Sequence, residues 1–243
     1  MISPDTLKKI DAYWAGYFGC KEADLNGKKT QVFTHAALGS FDGALAFRRK
    51  DACIVSVPAT TPDIERSKLR AEKPADAFNA AFLAKTYVIS TDKVTGPAWV
   101  GFADQGGFKP VKSDARILTS KDEAAMRELA EGCGETAWKL SKIAVERQTN
   151  FGLFVKSKLV AASGYLNLAG QLAYIGVITH PAHRGKGYAR MVASASMAHA
   201  LEFGLLPMWR TLDAHESAVK LAGALGFDKY ASTLDVQLTE DEF

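Results

Sequence analysis

A glycine-rich, cationic turn between an apolar run and an Ala-rich run limits the fold more than any other feature of this chain. The apolar residues 172–178 predict a buried strand, and residues 191–203 predict a helix. Between them lie Arg184, Gly185, Lys186 and Gly187. Glycines let the backbone approach a ligand closely, and the first turn of a helix leaves unpaired N–H groups at the positive end of its dipole. The order of strand, turn and helix therefore predicts an α/β unit with a cradle for an anion, most simply pyrophosphate.

Two common phosphate-binding loops do not fit this turn. A P-loop has four residues between its glycines, whereas Gly185 and Gly187 are separated by one residue and followed by Tyr188. The dinucleotide-binding loop has a third glycine three residues after the second, where this chain has Arg190. The cradle is therefore of another kind.

The pattern Arg-x-x-Gly-x-Ala, formed by Arg184, Gly187 and Ala189, resembles the acetyl-CoA loop of the GNAT acyltransferase superfamily. Downstream, residues 215–218 and 225–227 stand where that superfamily has Asn-x-x-Ala and Leu-Gly-Phe. The resemblance covers about residues 115–238 and includes the expected element order of strand, two helices, paired strands and the strand before the loop. It implies an N-acetyltransferase that moves an acetyl group from acetyl-CoA to an amine, with no metal.

The resemblance also implies which residues hold CoA. Backbone groups of residues 175–179 would pair with the pantetheine amides, and the N–H of Ile178 would stabilise the oxyanion. The N–H groups of the turn would bind the pyrophosphate. The resulting set of CoA-binding residues is Val177, Ile178, Thr179, Arg184, Gly185, Lys186, Gly187, Tyr188 and Ala189.

The residues for proton transfer are less well matched to the superfamily. A glutamate often serves as base, and Glu146 is our candidate, with Glu135, His180 and His183 as alternatives or as ordinary surface groups. Many relatives place a tyrosine acid on the last helix, at the position of Ala222 here. His215 and Ser217, at the start of that helix, are the candidates to replace it.

We expect a mixed-sheet α/β fold in two parts. Residues 113–243 would form the GNAT-like, acetyl-CoA-binding catalytic domain, and residues 1–112 an N-terminal α/β domain. The N-terminal part permits either a degenerate GNAT copy or an unrelated lid or dimerisation domain. Its pattern predicts a helix from Pro4 to Phe18, strands at 41–48 and 52–57, helices from 61 and from 74 to about 84, and strands at 87–90 and 97–103.

Composition disfavours several other classes of protein. Three scattered cysteines argue against a disulfide framework or a zinc site and for a reducing compartment, hence a cytoplasmic location. A net charge of +3 with dispersed Lys and Arg argues against nucleic acid as a partner. The uncharged residues 159–178 are punctuated by glycines and predict a buried hairpin rather than a membrane span.

Two functions from different classes are compatible with these features. The first is acetyl transfer to an amine of a small molecule or of a protein. The second is a catalytically weak CoA-binding sensor or interaction module, because the carboxylate of the CoA strand and the helix tyrosine are both absent from the sequence. The sequence also leaves open that a second copy of the chain is a partner, in a homodimer.

Overall fold

The computed structural model describes residues 1–143 and 149–238. They form two compact units. The first unit comprises residues 1–2, 101–210 and 216–228, and the second comprises residues 3–100, 211–215 and the chain from 229 onward. The predicted boundary at residue 113 between two domains stays a prediction.

Helices and strands alternate irregularly along the chain. In the first hundred residues they are α1 Pro4–Phe18, β1 Thr30–Thr34, β2 Gly43–Arg49, β3 Ala52–Val57, α2 Asp63–Ala71, α3 Pro74–Ala77, α4 Ala80–Tyr87 and β4 Val94–Phe102. They continue with β5 Arg116–Ile117, α5 Glu123–Cys133, α6 Glu135–Ser141, β6 Phe151–Val155, β7 Lys158–Leu168, β8 Leu172–Thr179, α7 Tyr188–Glu202, β9 Leu206–Leu212, α8 Glu216–Leu225 and β10 Asp228–Gln237. Short 3₁₀ turns lie at Asp24–Asn26, Thr91–Lys93, Ser120–Asp122 and Pro181–His183.

The first unit has the strand order β9-β8-β7-β6-β5, with α5 and α6 on one face and α7 on the other. Strand β7 is antiparallel to both β6 and β8, and β8 is parallel to β9. Met126 and Leu129 of α5 pack on Ile178, whereas Val192 of α7 packs on Val160. The uncharged residues 159–178 form the hairpin of β7 and β8, as predicted. None of the described helices combines the length and the apolar character that crossing a membrane requires.

The second unit has the strand order β1-β3-β2-β10-β4. Strand β1 is parallel to β3, and β2 is antiparallel to both β3 and β10. Trp14 and Phe18 of α1 pack on Phe47 of β2. Leu69 of α2 and Leu83 of α4 belong to the core that covers the other face.

Capping residues explain which predictions for the second unit succeed. Helix α1 has the predicted limits, because the Ser3 hydroxyl accepts a hydrogen bond from the N–H of Thr6 and Gly19 ends the helix with φ +66°. The single helix predicted from 74 to 84 is wrong. It is two helices, because the Asn79 side chain accepts a hydrogen bond from the N–H of Phe82 and starts α4.

Helix α4 continues to Tyr87, so the strand predicted at 87–90 is also wrong. Val88 ends the helix in the left-handed conformation. β-branched residues rarely adopt this conformation, so the sequence does not indicate a helix end there. Strand β1 was not predicted. It is short and pairs with β3 along only one edge.

A buried ion pair joins α1, β2 and β10 within the second unit. Arg49 Nη1 lies 2.7 Å from Asp11 Oδ1, and the Tyr230 hydroxyl donates to the same oxygen at 2.7 Å. The Asn26 amide donates to the other carboxylate oxygen, and the Arg49 guanidinium lies 4.2 Å from the centre of the Tyr230 ring. The charge of Arg49, whose side chain is 4% exposed, is therefore matched by Asp11 and its neighbours.

We expect Asp11→Asn to lower the free energy of unfolding by about 3–5 kcal/mol, because it leaves the Arg49 charge buried without a counter-charge. Urea unfolding measures this difference. Asp5→Asn, an exposed acid in the first turn of the same helix, is the matched control and should cost less than about 1 kcal/mol. Equal losses for the two variants would show that the pair does not stabilise the unit.

Candidate functional site

Strand β8 uses its two edges unequally. It pairs with β7 along its whole length, from Leu172 opposite Leu168 to Thr179 opposite Ala161. Its register with β9 covers only Leu172, Ala173 and Tyr174. Beyond Tyr174, among the described residues, β8 has an edge that is not taken up by β9.

The pairing with β7 shows which backbone groups lie on that open edge. The N–H of His180 donates to the carbonyl of Val160 at 2.9 Å, so these two residues form a hydrogen-bonded pair that continues the β7–β8 register. Directly opposed pairs in an antiparallel ladder alternate between bonded and non-bonded. The backbone groups of residues 174, 176 and 178 therefore point to β7, and those of Ile175, Val177 and Thr179 point to the open edge.

This alternation changes which backbone N–H we assign as the oxyanion donor. The N–H of Ile178, named above as the oxyanion donor, belongs to the β7 ladder. The donors on the open edge are the N–H groups of Val177 and Thr179, so the oxyanion donor that we propose is one of these two.

The side chains of β8 are held in the core, which leaves its backbone as the surface for a ligand. Ile178 packs with Met126 and Leu129 on one face, and Val177 packs with Val192 on the other. The hydroxyl of Thr179 is buried and has no hydrogen-bond partner among the described residues.

Gly176 fixes the position of β8 under helix α6. A Cβ atom added at Gly176 would lie 2.2 Å from the carbonyl oxygen of Ser141, the last residue of α6. The buried Ser163 hydroxyl donates to the carbonyl of Gly176 at 2.7 Å. The sequence pattern showed Gly176 only as punctuation in an apolar run, yet an isolated glycine in a strand often marks such a close approach.

The turn after β8 leads directly into helix α7. Gly185 and Gly187 have φ values of +78° and +80°, which a residue with a side chain adopts at a cost. The first hydrogen bond inside α7 runs from the N–H of Met191 to the carbonyl of Gly187. The N–H groups of residues 188–190 therefore precede the helical ladder and point out of its first turn.

The turn is exposed and electropositive. Arg184 and Lys186 have exposed side chains, and Arg184 Nε donates to the carbonyl of Thr179 at 3.3 Å, which ties the turn to the end of β8. Burial lowers the pKa of His183, and the nearby charge of Lys186 lowers it further. Unpaired N–H groups, cations and a helix dipole thus point to the same place, as an anion site requires.

The segment after β9 ends as the predicted Leu-Gly-Phe pattern requires. Gly226 has φ +97°, and a Cβ atom added there would lie 1.9 Å from the carbonyl oxygen of Gly107. Lys109 donates its N–H to the carbonyl of Leu225. Gly226 is therefore needed for close packing within the first unit.

The candidates for proton transfer are placed as follows. His215 is exposed in the turn before α8 and belongs to the second unit, and Ser217 is exposed in the first turn of α8 and belongs to the first unit. Glu146 lies outside the described residues. Lys139, whose amino group is 2.9 Å from the Glu135 carboxylate, lowers the pKa of that exposed group. Ala222, at the position of the superfamily's tyrosine, is completely buried.

Comparison with known proteins points to one family. A family model described as GNAT acetyltransferase matches residues 114–232. No curated protein matches the chain. The match is therefore to the family model and to solved structures.

Two solved structures resemble nearly the whole chain. A GCN5-related N-acetyltransferase from Kribbella flavida is 15% identical with a TM-score of 0.51, over 96% of this chain and 96% of that one. A GCN5-related N-acetyltransferase-like protein from Streptococcus suis 89/1591 is 17% identical with a TM-score of 0.50, over 94% and 98%. At these identities the likeness shows the fold, which is that of GNAT acetyltransferases.

A third structure, of a GNAT-family protein from Novosphingobium aromaticivorans DSM 12444, is 23% identical with a TM-score of 0.49. The likeness covers 58% of this chain and 63% of that one. The chain thus spans less than two thirds of the length of this relative.

The contact between Gly176 and Ser141 can be tested by stability. We expect Gly176→Ala to lower the free energy of unfolding by about 1–3 kcal/mol, because the new methyl group meets backbone that must move. Gly223→Ala in α8 is the control, since its Cβ atom would meet nothing within 4 Å and alanine favours a helix by about 0.5–1 kcal/mol. Chemical denaturation of both variants measures the difference, and a neutral Gly176→Ala would contradict the close approach.

Proposed function

Residues 114–232 of this chain belong to the GNAT acetyltransferase family, and on that premise we propose that the protein transfers an acetyl group from acetyl-CoA to an amine of a small molecule or a protein. The transfer takes place in a ternary complex by direct attack. A reducing, cytoplasmic location is part of this proposal, in agreement with the free state of Cys20, Cys53 and Cys133.

One observation carries the proposal. The open edge of β8, at Ile175, Val177 and Thr179, continues into the two left-handed glycines and the uncapped first turn of α7. An extended chain with amide groups can pair with a strand edge as an added strand does. A pyrophosphate can then accept hydrogen bonds from the N–H groups of residues 185–189, since the N–H of Arg184 already donates to the carbonyl of Pro181. Pantetheine followed by pyrophosphate is the order of groups in CoA, and it matches the order of the two surfaces.

The chemistry needs only groups that a protein supplies. The amine nitrogen forms a bond to the thioester carbonyl carbon, the carbon–sulfur bond breaks, and the amine proton leaves to a base while the CoA thiolate gains a proton. Holding the thioester against β8 supplies proximity to the amine. The N–H of Val177 or Thr179 would stabilise the oxyanion that forms in between.

Gly187→Val tests the CoA site. We expect it to raise the KM for acetyl-CoA at least about tenfold, because valine does not adopt φ +80° without strain and the turn must change shape. Gly204→Val, at the opposite end of α7, is the matched control: its φ is +73° and its surroundings are equally open. Similar KM values for Gly187→Val and the wild type would remove the turn from the CoA site.

The acceptor and the reaction are tested together by release of free thiol. Acetyl-CoA is offered with a panel of amines, comprising amino acids, polyamines and peptides with free N-termini or lysines, and we expect one class to raise the rate steeply. The same assay on His215→Ala, Ser217→Ala and Glu146→Gln assigns the proton transfers, since a variant with unchanged kcat has no part in them.

The alternative is a CoA-binding module without catalysis. The alanine at position 222 favours this alternative, because this buried residue gives α8 no acid at the position of the superfamily's tyrosine. Acetyl-CoA binding that depends on Gly187, together with no thiol release above the uncatalysed rate for any amine, would support this alternative. Such a result would contradict the transferase proposal and leave the CoA site intact.

A further inference from the structure

A cavity of about 520 Å³ lies wholly within the second unit and shares no residue with the proposed CoA site, whereas Tyr230 of the buried Asp11–Arg49 cluster is part of its wall. Its wall contains three cations and one carboxylate, and an apolar part. These residues are Arg48, Lys50, Lys229, Asp213, Phe78 and Pro97. The volume is in the range of small-molecule sites, which typically combine an apolar lining with a few polar groups.

The alternation of β2 explains why Arg48 faces this cavity. Arg49 points to α1, where Asp11 matches its charge. Arg48 points to the opposite face, as neighbouring residues of a strand do, and lies opposite Ser232 of β10. Arg48 is half-buried, and no carboxylate pairs with it in residues 1–143 and 149–238.

The cations outnumber the acid in the wall. Lys229 Nζ lies 3.6 Å from Asp213 Oδ2, so this pair is approximately neutral. Asp213 is also fixed through its backbone, because its N–H donates to the carbonyl of Pro97 at 2.9 Å. Arg48 and Lys50 remain as positive charge in a concave surface, where the potential is stronger than on open surface.

We propose that this cavity binds a small organic anion, whose carboxylate or phosphate group contacts Arg48 and Lys50. The planar guanidinium of Arg48 matches the two oxygens of either group. Phe78, which is half-buried, and Pro97 also line the wall and supply apolar surface for the body of the ligand. The site extends the proposed function and does not rest on it, since it needs neither acetyl-CoA nor an amine.

The test uses three aromatic probes and two double variants. Benzoate and phenyl phosphate carry the two anionic groups, and benzamide is the neutral counterpart of benzoate. Arg48→Gln/Lys50→Gln removes the proposed contacts, and Lys9→Gln/Lys28→Gln removes two exposed charges from the same unit outside the cavity wall. Binding is measured by ligand-detected NMR and by the shift of Tm with probe concentration.

We expect at least one anionic probe to bind the wild type and the control equally, to bind Arg48→Gln/Lys50→Gln about tenfold more weakly or worse, and to weaken with salt. The tighter of the two anions names the group. Equal binding of benzamide, no binding of either anion, or unchanged binding by Arg48→Gln/Lys50→Gln would overturn the proposal. If that variant does not fold, Lys50→Gln alone decides, because Lys50 is exposed and its substitution should still weaken binding.

Discussion

The unequal pairing of β8 is the constraint on which the proposed site depends. A strand inside a sheet has no backbone groups to offer, because both edges are used by its neighbours. Beyond Tyr174, β7 is the strand that pairs with β8 among the described residues, and the buried Ser163 hydroxyl and the contact of Gly176 with α6 also hold β8 in place. The open edge is therefore held in an extended form by contacts on its other side, so a ligand that pairs with it loses little free energy to ordering the protein.

The first unit was predictable because its signals are local and agree with one another. Apolar runs and a turn with two glycines indicated β8 and α7, although α7 begins at Tyr188, three residues before the predicted start at 191. The second unit was less so. The break between α3 and α4 depends on a single side chain, Asn79, and the end of α4 on a valine in a conformation that valine seldom adopts. The first is a local cap inside a stretch that resembles one continuous helix, and the second is a conformation that the residue type disfavours.

The candidate site also has one feature that the sequence predicts and one that only the structure shows. The turn from Arg184 to Gly187 could be read from residue types alone. Which edge of β8 each N–H faces could not, because this follows from the register with β7, and a shift of one residue exchanges the two sets. The resemblance implied Ile178 as the oxyanion donor, whereas the register places the N–H groups of Val177 and Thr179 on the open edge.

Two adjacent arginines of β2 lie on opposite faces of the strand and differ in whether a carboxylate matches their charge. Arg49 faces Asp11 and Tyr230 and stabilises the second unit, whereas Arg48, one residue earlier, faces the cavity, whose carboxylate, Asp213, pairs with Lys229. In the sequence, residues 48–51 are a charged segment between two predicted strands, which fits an exposed hairpin tip and a surface for an acidic substrate equally well. A buried cation that is paired with its own counter-charge has no net charge left to attract a ligand. A cation that lacks such a partner and lies in a concave wall still attracts an anion. The difference between a structural and a binding arginine therefore lies in the side of the strand and not in the residue type.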